Sequence, residues 1–423
     1  MKEKILLVSL NFCYPLVHGG AIAQYYFIDG LKNDIEFVLC TQVNTQYELE
    51  NIKLLQEKQP KLKIYFTNNI QEKQPNKLPL KPTIWKRIKR KIKKMLFKKK
   101  TTINSVLTQA IVDDDFQNPH YCCIDNYQSE KFIQLVNDVI EKESIKQVQF
   151  DFYEAINLIL AIPKRVRKIF IHHEIRFKRL KLMYDKSLLS PTYKNYIIDK
   201  TELYEKLLLK QMDSVVVFNN DDANLLKEIC KNVIVSPFGM PHELIYKGDI
   251  SHKFAKFLFV GSESHRPNLL GLSWFLNEIY IPYINEIKYP VYIVGSWSDG
   301  IKNMYKIYSQ IVFCGVVDSI QPYFEESIFV NPILTGSGIR TKVLHAYINK
   351  VPVMSTRFGA EGCYNEYDNS HLLFFDSAVE FMNAMLNITV PQLQNLALAG
   401  FDYYNKEFNK DTLLKKRLNV YTI

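Results

Sequence analysis

The sequence predicts an α/β protein with two doubly wound, Rossmann-like domains. Short runs rich in β-branched and aromatic residues recur along the 423 residues, separated by longer helical patterns. Near-continuous apolar strands that alternate with helices are typical of parallel sheets covered on both faces. Glycine marks a change along the chain, because only Gly19, Gly20 and Gly30 precede residue 239 and the other twelve follow from Gly239 onward. We therefore expect a domain boundary there.

Seven strands are predicted before this boundary and six after it. The first seven are Lys4–Asn11, Ile35–Thr41, Leu62–Thr67, Gln147–Tyr153, Lys168–His172, Ser214–Asn219 and Val233–Ser236. The other six are Phe257–Gly261, Val291–Val294, Ile311–Cys314, Ser327–Asn331, Val351–Ser355 and Leu372–Phe375. Ser236-Pro237-Phe238-Gly239 follows a strand and predicts a turn. We expect an N-terminal domain at 1–238, a second domain at 239–400, and a C-terminal helix at 401–423 that could pack back on the first domain.

The net charge of +10 comes from one segment. Residues 81–100 contain 11 Lys or Arg and no acidic residue, whereas the rest of the chain has 43 basic against 44 acidic residues. A general nucleic-acid-binding protein more often has basic residues over a whole face. The composition therefore argues against nucleic acid as the main partner.

The same segment has the pattern of a basic amphipathic helix. Trp85, Ile88 and Ile92 fall on one side of a helical wheel, and most of the basic residues, Lys89 and Lys93 among them, fall outside it. Such a helix suits an anionic membrane surface. A solvated basic loop is the alternative. We expect these five residues to contact a membrane.

The cysteines and the amino terminus indicate a cytoplasmic protein. Seven scattered cysteines form no CxxC pair, which fits a reducing compartment and no zinc site. Targeting signals and a transmembrane helix are not expected, so we predict a peripheral protein at the inner face of the membrane. Asp113-Asp114-Asp115 follows a helical pattern rather than a strand end and is interpreted as an acidic turn. No metal or other cofactor is expected.

Two glycine-containing turns are candidate ligand sites. Gly19-Gly20 directly follows the first strand, where backbone N–H groups can approach a sugar or an anion; a plain strand-to-helix turn is the alternative. The second turn lies between Asn331 and Ala346 and runs from strand to loop to helix. Arg340 and Lys342 in its first helical turn oppose the helix dipole. A bound diphosphate would explain both cations, and solvated surface charges are the alternative.

The second half of the chain resembles glycosyltransferase family 4, whose members are retaining enzymes of the GT-B fold. The resemblance is carried by Phe259-Val260-Gly261-Ser262 with Arg266-Pro267-Asn268, Val294-Gly295-Ser296, Gly315-Val316-Val317-Asp318, the Gly336-to-Ala346 stretch, and Pro352-Val353 through Gly359-Ala360-Glu361-Gly362. Gly19-Gly20 and His172-His173-Glu174-Ile175-Arg176 resemble the acceptor domain of the family more loosely.

The resemblance implies a nucleotide-sugar donor in a cleft between the domains and a glycan or lipid-linked acceptor. It implies catalytic roles for His173, Arg266 and Lys342, with His172 the second choice for the histidine near the sugar. The donor-binding residues that it implies are Gly19, Gly20, Gly261, Ser262, Val317, Ser337, Gly338, Ile339, Arg340 and His345.

The sequence departs from the family at two positions. The family pattern places glutamates eight positions apart where this chain has Ser337 and His345. A neutral imidazole has fewer acceptor sites than a carboxylate for binding a ribose hydroxyl. The function implied is a retaining hexosyl or related transferase in bacterial-type polysaccharide or glycoconjugate assembly. The alternative is a non-catalytic GT-B partner subunit at the membrane.

Overall fold

A computed structural model gives the arrangement of most of the chain. It describes residues 2–10, 13–16, 18–70, 127–185, 189–245, 248–336, 340–364, 370–386 and 388–422. The basic segment 81–100 and Asp113 to Asp115 lie outside the described residues. So do Ser337, Gly338 and Ile339 of the second glycine turn.

In the described part of the chain, the first sheet has seven parallel strands in the order β3-β2-β1-β4-β5-β6-β7. The strands are β1 Glu3–Ser9, β2 Ile35–Val43, β3 Lys63–Asn68, β4 Gln147–Asp151, β5 Arg167–Ile171, β6 Ser214–Val217 and β7 Val233–Val235. The helices between them are α1 Gly19–Leu31, α2 Gln46–Lys58, α3 Glu130–Lys142, α4 Arg176–Asp185, α5 Pro191–Leu209 and α6 Asn220–Leu226, with a 3-10 helix at Tyr153–Ala161.

The second sheet, counted over the described residues, has six parallel strands in the order β10-β9-β8-β11-β12-β13. They are β8 Lys256–Val260, β9 Val291–Val294, β10 Ile311–Gly315, β11 Ser327–Asn331, β12 Val353–Ser355 and β13 Leu373–Phe374. The helices are α7 Arg266–Trp274, α8 Asp299–Tyr305, α9 Gln321–Phe324, α10 Thr341–Ile348, α11 Ala378–Leu386, α12 Val390–Glu407 and α13 Lys410–Thr422. Short π and 3-10 turns follow α7, and 3-10 turns also occur at His242–Leu244 and Phe358–Ala360.

Alternating side chains of each central strand enter opposite cores. Ile5 and Leu7 of β1 pack on the side of α1, while Leu6 and Val8 pack on the side of α3. Both faces of the strand are therefore buried, which is the reason for its near-continuous apolar sequence. The predicted α/β architecture of two doubly wound domains is confirmed, and each predicted strand is present with ends shifted by a few residues.

The C-terminal segment is two helices rather than one. The helix predicted at 401–423 is interrupted at Phe408, and the Asn409 side chain accepts a hydrogen bond from the Thr412 N–H at the start of α13. This side chain offers the backbone an N-terminal cap, which ends one helix and begins the next. Helix α12 packs on the second domain, where Gly400 lies against Tyr347.

Helix α13 lies on the N-terminal sheet. Leu414 packs so closely against Gly30 of α1 that a Cβ at residue 30 would come within 2.5 Å of it. The backbone carbonyls of Val420 and Tyr421 accept hydrogen bonds from Arg167 and Gln147, at 2.8 Å each. The last turn of α13 is thus bound to the first domain. Among the described helices, none is both long and apolar enough to cross a membrane.

Candidate active site

The carboxyl ends of β4 and β5 hold a histidine against a carboxylate. Asp151 is the last residue of β4, and His173 follows β5 by two positions. Nε2 of His173 lies 3.0 Å from Oδ1 of Asp151, which is buried. The imidazole ring stacks on Phe152 at 4.1 Å between ring centroids and meets the edge of Phe218. Contacts on three sides therefore fix the ring.

Phe152 has a backbone conformation that side chains rarely adopt. Its φ is +67°, which costs energy in a residue other than glycine and is most often found at functional sites. This conformation places the Phe152 ring between His173 and the start of α1. A Cβ at Gly20 would come within 2.3 Å of that ring. The absence of a side chain at Gly20 is thus what lets α1 approach the histidine.

The first turn of α1 faces the second domain. His18 caps the helix, with its Nδ1 accepting a hydrogen bond of 3.1 Å from the Ala21 N–H. Burial, and to a smaller extent His173, lower the pKa of His18. A Cβ at Gly19 would lie 3.2 Å from the side chain of Thr341, the first residue of α10. The amino ends of one helix from each domain therefore meet across the cleft.

Lys342 lies beside Gly261, the glycine that follows β8. Its Nζ donates a short hydrogen bond to the side-chain oxygen of Asn268, whose amide donates to the Ser262 carbonyl at 3.0 Å. A Cβ at Gly261 would collide with the Asn268 side chain at 2.6 Å. Burial, and then Arg340, lower the pKa of Lys342 to about 7. The ammonium group is therefore close to losing its proton at neutral pH in the absence of an anion.

Arg340 is held just before α10. Its Nε donates to the Phe358 carbonyl at 3.2 Å, the guanidinium lies over the Phe358 ring, and Nη2 is 3.0 Å from Glu361. Burial lowers the pKa of Arg340, although Glu361 opposes that effect. Arg266 begins α7 on the same side of the domain. A Cβ at Gly336 would approach both Arg340 and Pro267, which places these residues around one loop.

The N-terminal domain also brings charges to this cleft. Glu174 and Arg179 form an ion pair just after His173. Both influence the pKa of His265, which is lowered first by burial and next by Lys342. Side chains of the two domains therefore share one electrostatic environment.

His345 and Val317, two further predicted donor-binding residues, lie in the second domain. His345, one turn into α10, is half-buried with its ring against Phe324, and the partial burial of the imidazole lowers its pKa to about 4. Its Nε2 has no hydrogen-bond partner among the described residues. Val317 is half-buried beside the exposed Val316, after β10.

His172 lies in the interior rather than in the cleft. It is 1% exposed, with Nε2 2.8 Å from Oε1 of Glu205 on α5. Glu205 accepts hydrogen bonds from the backbone N–H groups of Arg176 and Phe177 at the start of α4. These contacts give His172 a structural role, and His173 is the histidine that reaches the site.

Sequence reasoning did not identify Asp151, Phe152 or His265. Asp151 stands near the end of a predicted strand, a signal that could have indicated it, but nothing in the sequence indicates that it meets His173. Over the described ranges, no group of three or more His, Cys, Asp or Glu side chains is arranged to hold a metal ion.

The second domain matches a known protein family, and the whole chain is similar in fold to solved structures. Residues 255–389 match the family model Glycosyl transferases group 1. A protein of Klebsiella pneumoniae, described as an uncharacterized 44.6 kDa protein in the cps region, is 28% identical over 166 residues. That match covers 36% of this chain and 42% of the relative, so less than half of the relative is spanned.

Solved structures resemble the whole chain. Sucrose-phosphate synthase from Thermosynechococcus elongatus has a TM-score of 0.64 at 13% identity, with 100% of this chain and 98% of that one covered. A mutant of S. aureus TarM in complex with Fondaparinux, alpha-GlcNAc-glycerol and UDP has a TM-score of 0.62 at 12% identity, with both chains fully covered. The likeness shows the GT-B fold, and the match at 255–389 supports a glycosyltransferase of that fold.

Proposed function

We propose that this chain transfers a sugar from a nucleotide-diphosphate-sugar donor to a hydroxyl acceptor, with retention of anomeric configuration. One observation carries the proposal. The amino ends of α1 and α10 meet at the cleft, and Arg340 and Lys342 lie at the second of them although cations oppose the helix dipole there. The oxygens of a diphosphate would accept hydrogen bonds from backbone N–H groups of both helices, and its charge would neutralise both cations.

The residues around this point have distinct roles in the proposal. Arg266 and Lys342 would stabilise the charge that develops on the leaving diphosphate, so that no metal is needed. His173 would contact the sugar from the N-terminal domain. Val317 would face the base and His345 a ribose hydroxyl. The acceptor hydroxyl would attack from the face that the diphosphate leaves.

The second glycine turn would complete the donor site. Ser337, Gly338 and Ile339 would bind the diphosphate through their backbone, with Gly261 and Ser262 at the end of β8. UDP is the first nucleotide to test, because the similar TarM structure contains it. The relative from a cps region supports a role in polysaccharide assembly.

The decisive experiment combines binding and transfer. We expect the full chain to bind UDP, and a panel of nucleotide sugars to reveal hydrolysis or transfer. Arg340→Ala with Lys342→Ala should weaken UDP binding about a hundredfold, because it removes two charged partners from a partly desolvated site. Lys302→Ala, which removes an exposed lysine paired with Asp299, is the matched control.

Three outcomes distinguish the possibilities. Transfer that depends on Arg340 and Lys342 supports the enzyme. Nucleotide binding without transfer across the panel supports the alternative of a non-catalytic partner subunit. Absence of both binding and transfer would rule out the donor site.

We further propose that the enzyme works at the inner face of a membrane, attached through 81–100. Each Lys or Arg near an anionic surface contributes about 1 kcal/mol, so a few of the 11 would give reversible attachment. We expect flotation with anionic but not neutral vesicles, lost when 81–100 is deleted. Flotation that survives the deletion, or RNA retention that disappears with it, would contradict this assignment.

A further inference from the structure

A chain of buried polar side chains connects the C-terminal helix to His173. The Tyr421 hydroxyl on α13 lies 2.6 Å from Oε1 of Gln149. Nε2 of Gln149 lies 2.6 Å from Oδ2 of Asp151, and Oδ1 of Asp151 lies 3.0 Å from Nε2 of His173. Four side chains from α13, β4 and the loop after β5 thus form a continuous series of hydrogen bonds.

The chemistry of the groups gives the series a direction. An ionised carboxylate can only accept hydrogen bonds, so Asp151 accepts from Gln149 on one oxygen and from His173 on the other. Gln149 donates through its nitrogen, which leaves its oxygen to accept from the Tyr421 hydroxyl. With Nε2 carrying the proton, Nδ1 of His173 is the ring atom that remains an acceptor.

Burial makes these orientations costly to change. Asp151 and Tyr421 are each 1% exposed and Gln149 is 4% exposed. Water has little access to replace a lost partner, and an unpaired polar group in such a place costs more than a hydrogen bond at the surface. Gln149, Asp151, His173 and Tyr421 also border one small cavity of about 10 Å³.

The strand geometry explains why Gln149 can act on Asp151. The two residues are two positions apart on β4, so their side chains leave the same face of the sheet. Gln147 lies on that face as well and donates to the Tyr421 carbonyl at 2.8 Å. Alternate residues of one strand thus fix both the last turn of α13 and the carboxylate beside the histidine.

We propose that Gln149 and Tyr421 are positioning residues for His173, which hold Asp151 so that His173 is protonated on Nε2 and presents Nδ1 as an acceptor. The tautomer is a property of the protein alone. Its use, acceptance of a hydrogen bond from a sugar hydroxyl, rests on the proposed function. The C-terminal helix therefore does more than close the first domain, because its last turn orients a side chain in the cleft.

The tautomer can be measured directly in the full chain. In protein labelled with ¹⁵N at histidine, two-bond ¹H–¹⁵N spectra at pH 8.5 report which ring nitrogen bears the proton, and His173→Gln assigns the signal. We expect the Nε2–H form in the unaltered chain. Tyr421→Phe should shift the ratio of tautomers about fivefold toward Nδ1–H, the equivalent of one lost hydrogen bond.

Gln149→Met, which keeps the side-chain length, should shift the ratio of His173 tautomers in the same direction. This variant tests the proposal if Tyr421→Phe does not fold. Tyr280→Phe is the matched control, because it removes a buried tyrosine hydroxyl that donates to the Tyr289 carbonyl in the other domain. An Nδ1–H form in the unaltered chain would overturn the proposal. So would an unchanged ratio in the folded variants. Neither result depends on nucleotide binding, so failure of the proposed function would be seen separately.

Discussion

Lys342 is the residue through which nucleotide binding is expected to depend on pH. Burial and the neighbouring Arg340 lower its pKa to about 7, so its charged form is disfavoured before an anion binds. A diphosphate would favour that charged form. Above pH 7 the binding of UDP must therefore include the uptake of a proton, and affinity is full below the lowered pKa and is lost as the pH rises through it.

We predict that the dissociation constant for UDP rises between pH 7.5 and 9, by up to about tenfold per pH unit. Calorimetry in buffers of different ionisation enthalpy should show the proton uptake. Lys342→Arg keeps its charge over this range and should bind with little dependence on pH. An affinity of the unaltered chain that is constant from pH 7.5 to 9 would contradict the prediction.

Positions that require a particular local backbone, such as the glycine pair, could be predicted from the sequence. Contacts between side chains that are far apart in the sequence could not. Gly19 and Gly20 stand out as an adjacent pair in a glycine-poor chain. Gly19 lies close to Thr341 of the second domain, and Gly20 lies close to the Phe152 ring. Asp151 contacts His173, which is 22 positions away in the sequence. Their contact requires β4 and β5 to be neighbours in the sheet, and the periodicity of apolar residues does not predict the order of the strands.

At the scale of elements, strands were predicted well because each is an apolar run buried on both faces. Their ends are predicted less exactly, since apolar residues such as Phe152 and Tyr153 continue the pattern beyond the last residue of β4, Asp151. The start of α4 is another boundary that the local sequence does not mark. Its first N–H groups are satisfied by Glu205, which lies on the next helix, and no capping residue adjacent in sequence marks the position.

The helix break in the C-terminal segment has a similar origin. Apolar residues recur through 401–423, so periodicity alone predicts one helix. The break at Phe408 instead allows α12 to pack on the second domain and α13 on the first. The Asn409 side chain caps the start of α13 and makes the break possible. The position of the break is determined by the two surfaces on which the helices pack.

At the scale of the whole molecule, the C-terminal helices hold the segment that joins the domains. The Tyr404 hydroxyl accepts a hydrogen bond of 2.7 Å from the Met240 N–H. Arg417, which is 1% exposed, donates to the side chain and carbonyl of Ser236 at 3.0 and 3.3 Å. Both ends of the turn at 236–240 are therefore bound to helices that follow the second domain.

Arg417 should accordingly be important for stability. Its guanidinium also lies 3.7 Å from the centroid of the Phe27 ring, in a place where water cannot replace that contact. A desolvated cation–π contact contributes about 2 kcal/mol and each hydrogen bond about 1 kcal/mol. We predict that Arg417→Met lowers the free energy of unfolding by about 4 kcal/mol, measured in urea on the transition that includes the N-terminal domain. Lys416→Ala, at the exposed neighbouring position, should change it by less than about 0.5 kcal/mol. Equal stability of the two variants would show that α13 does not hold the interdomain segment in place.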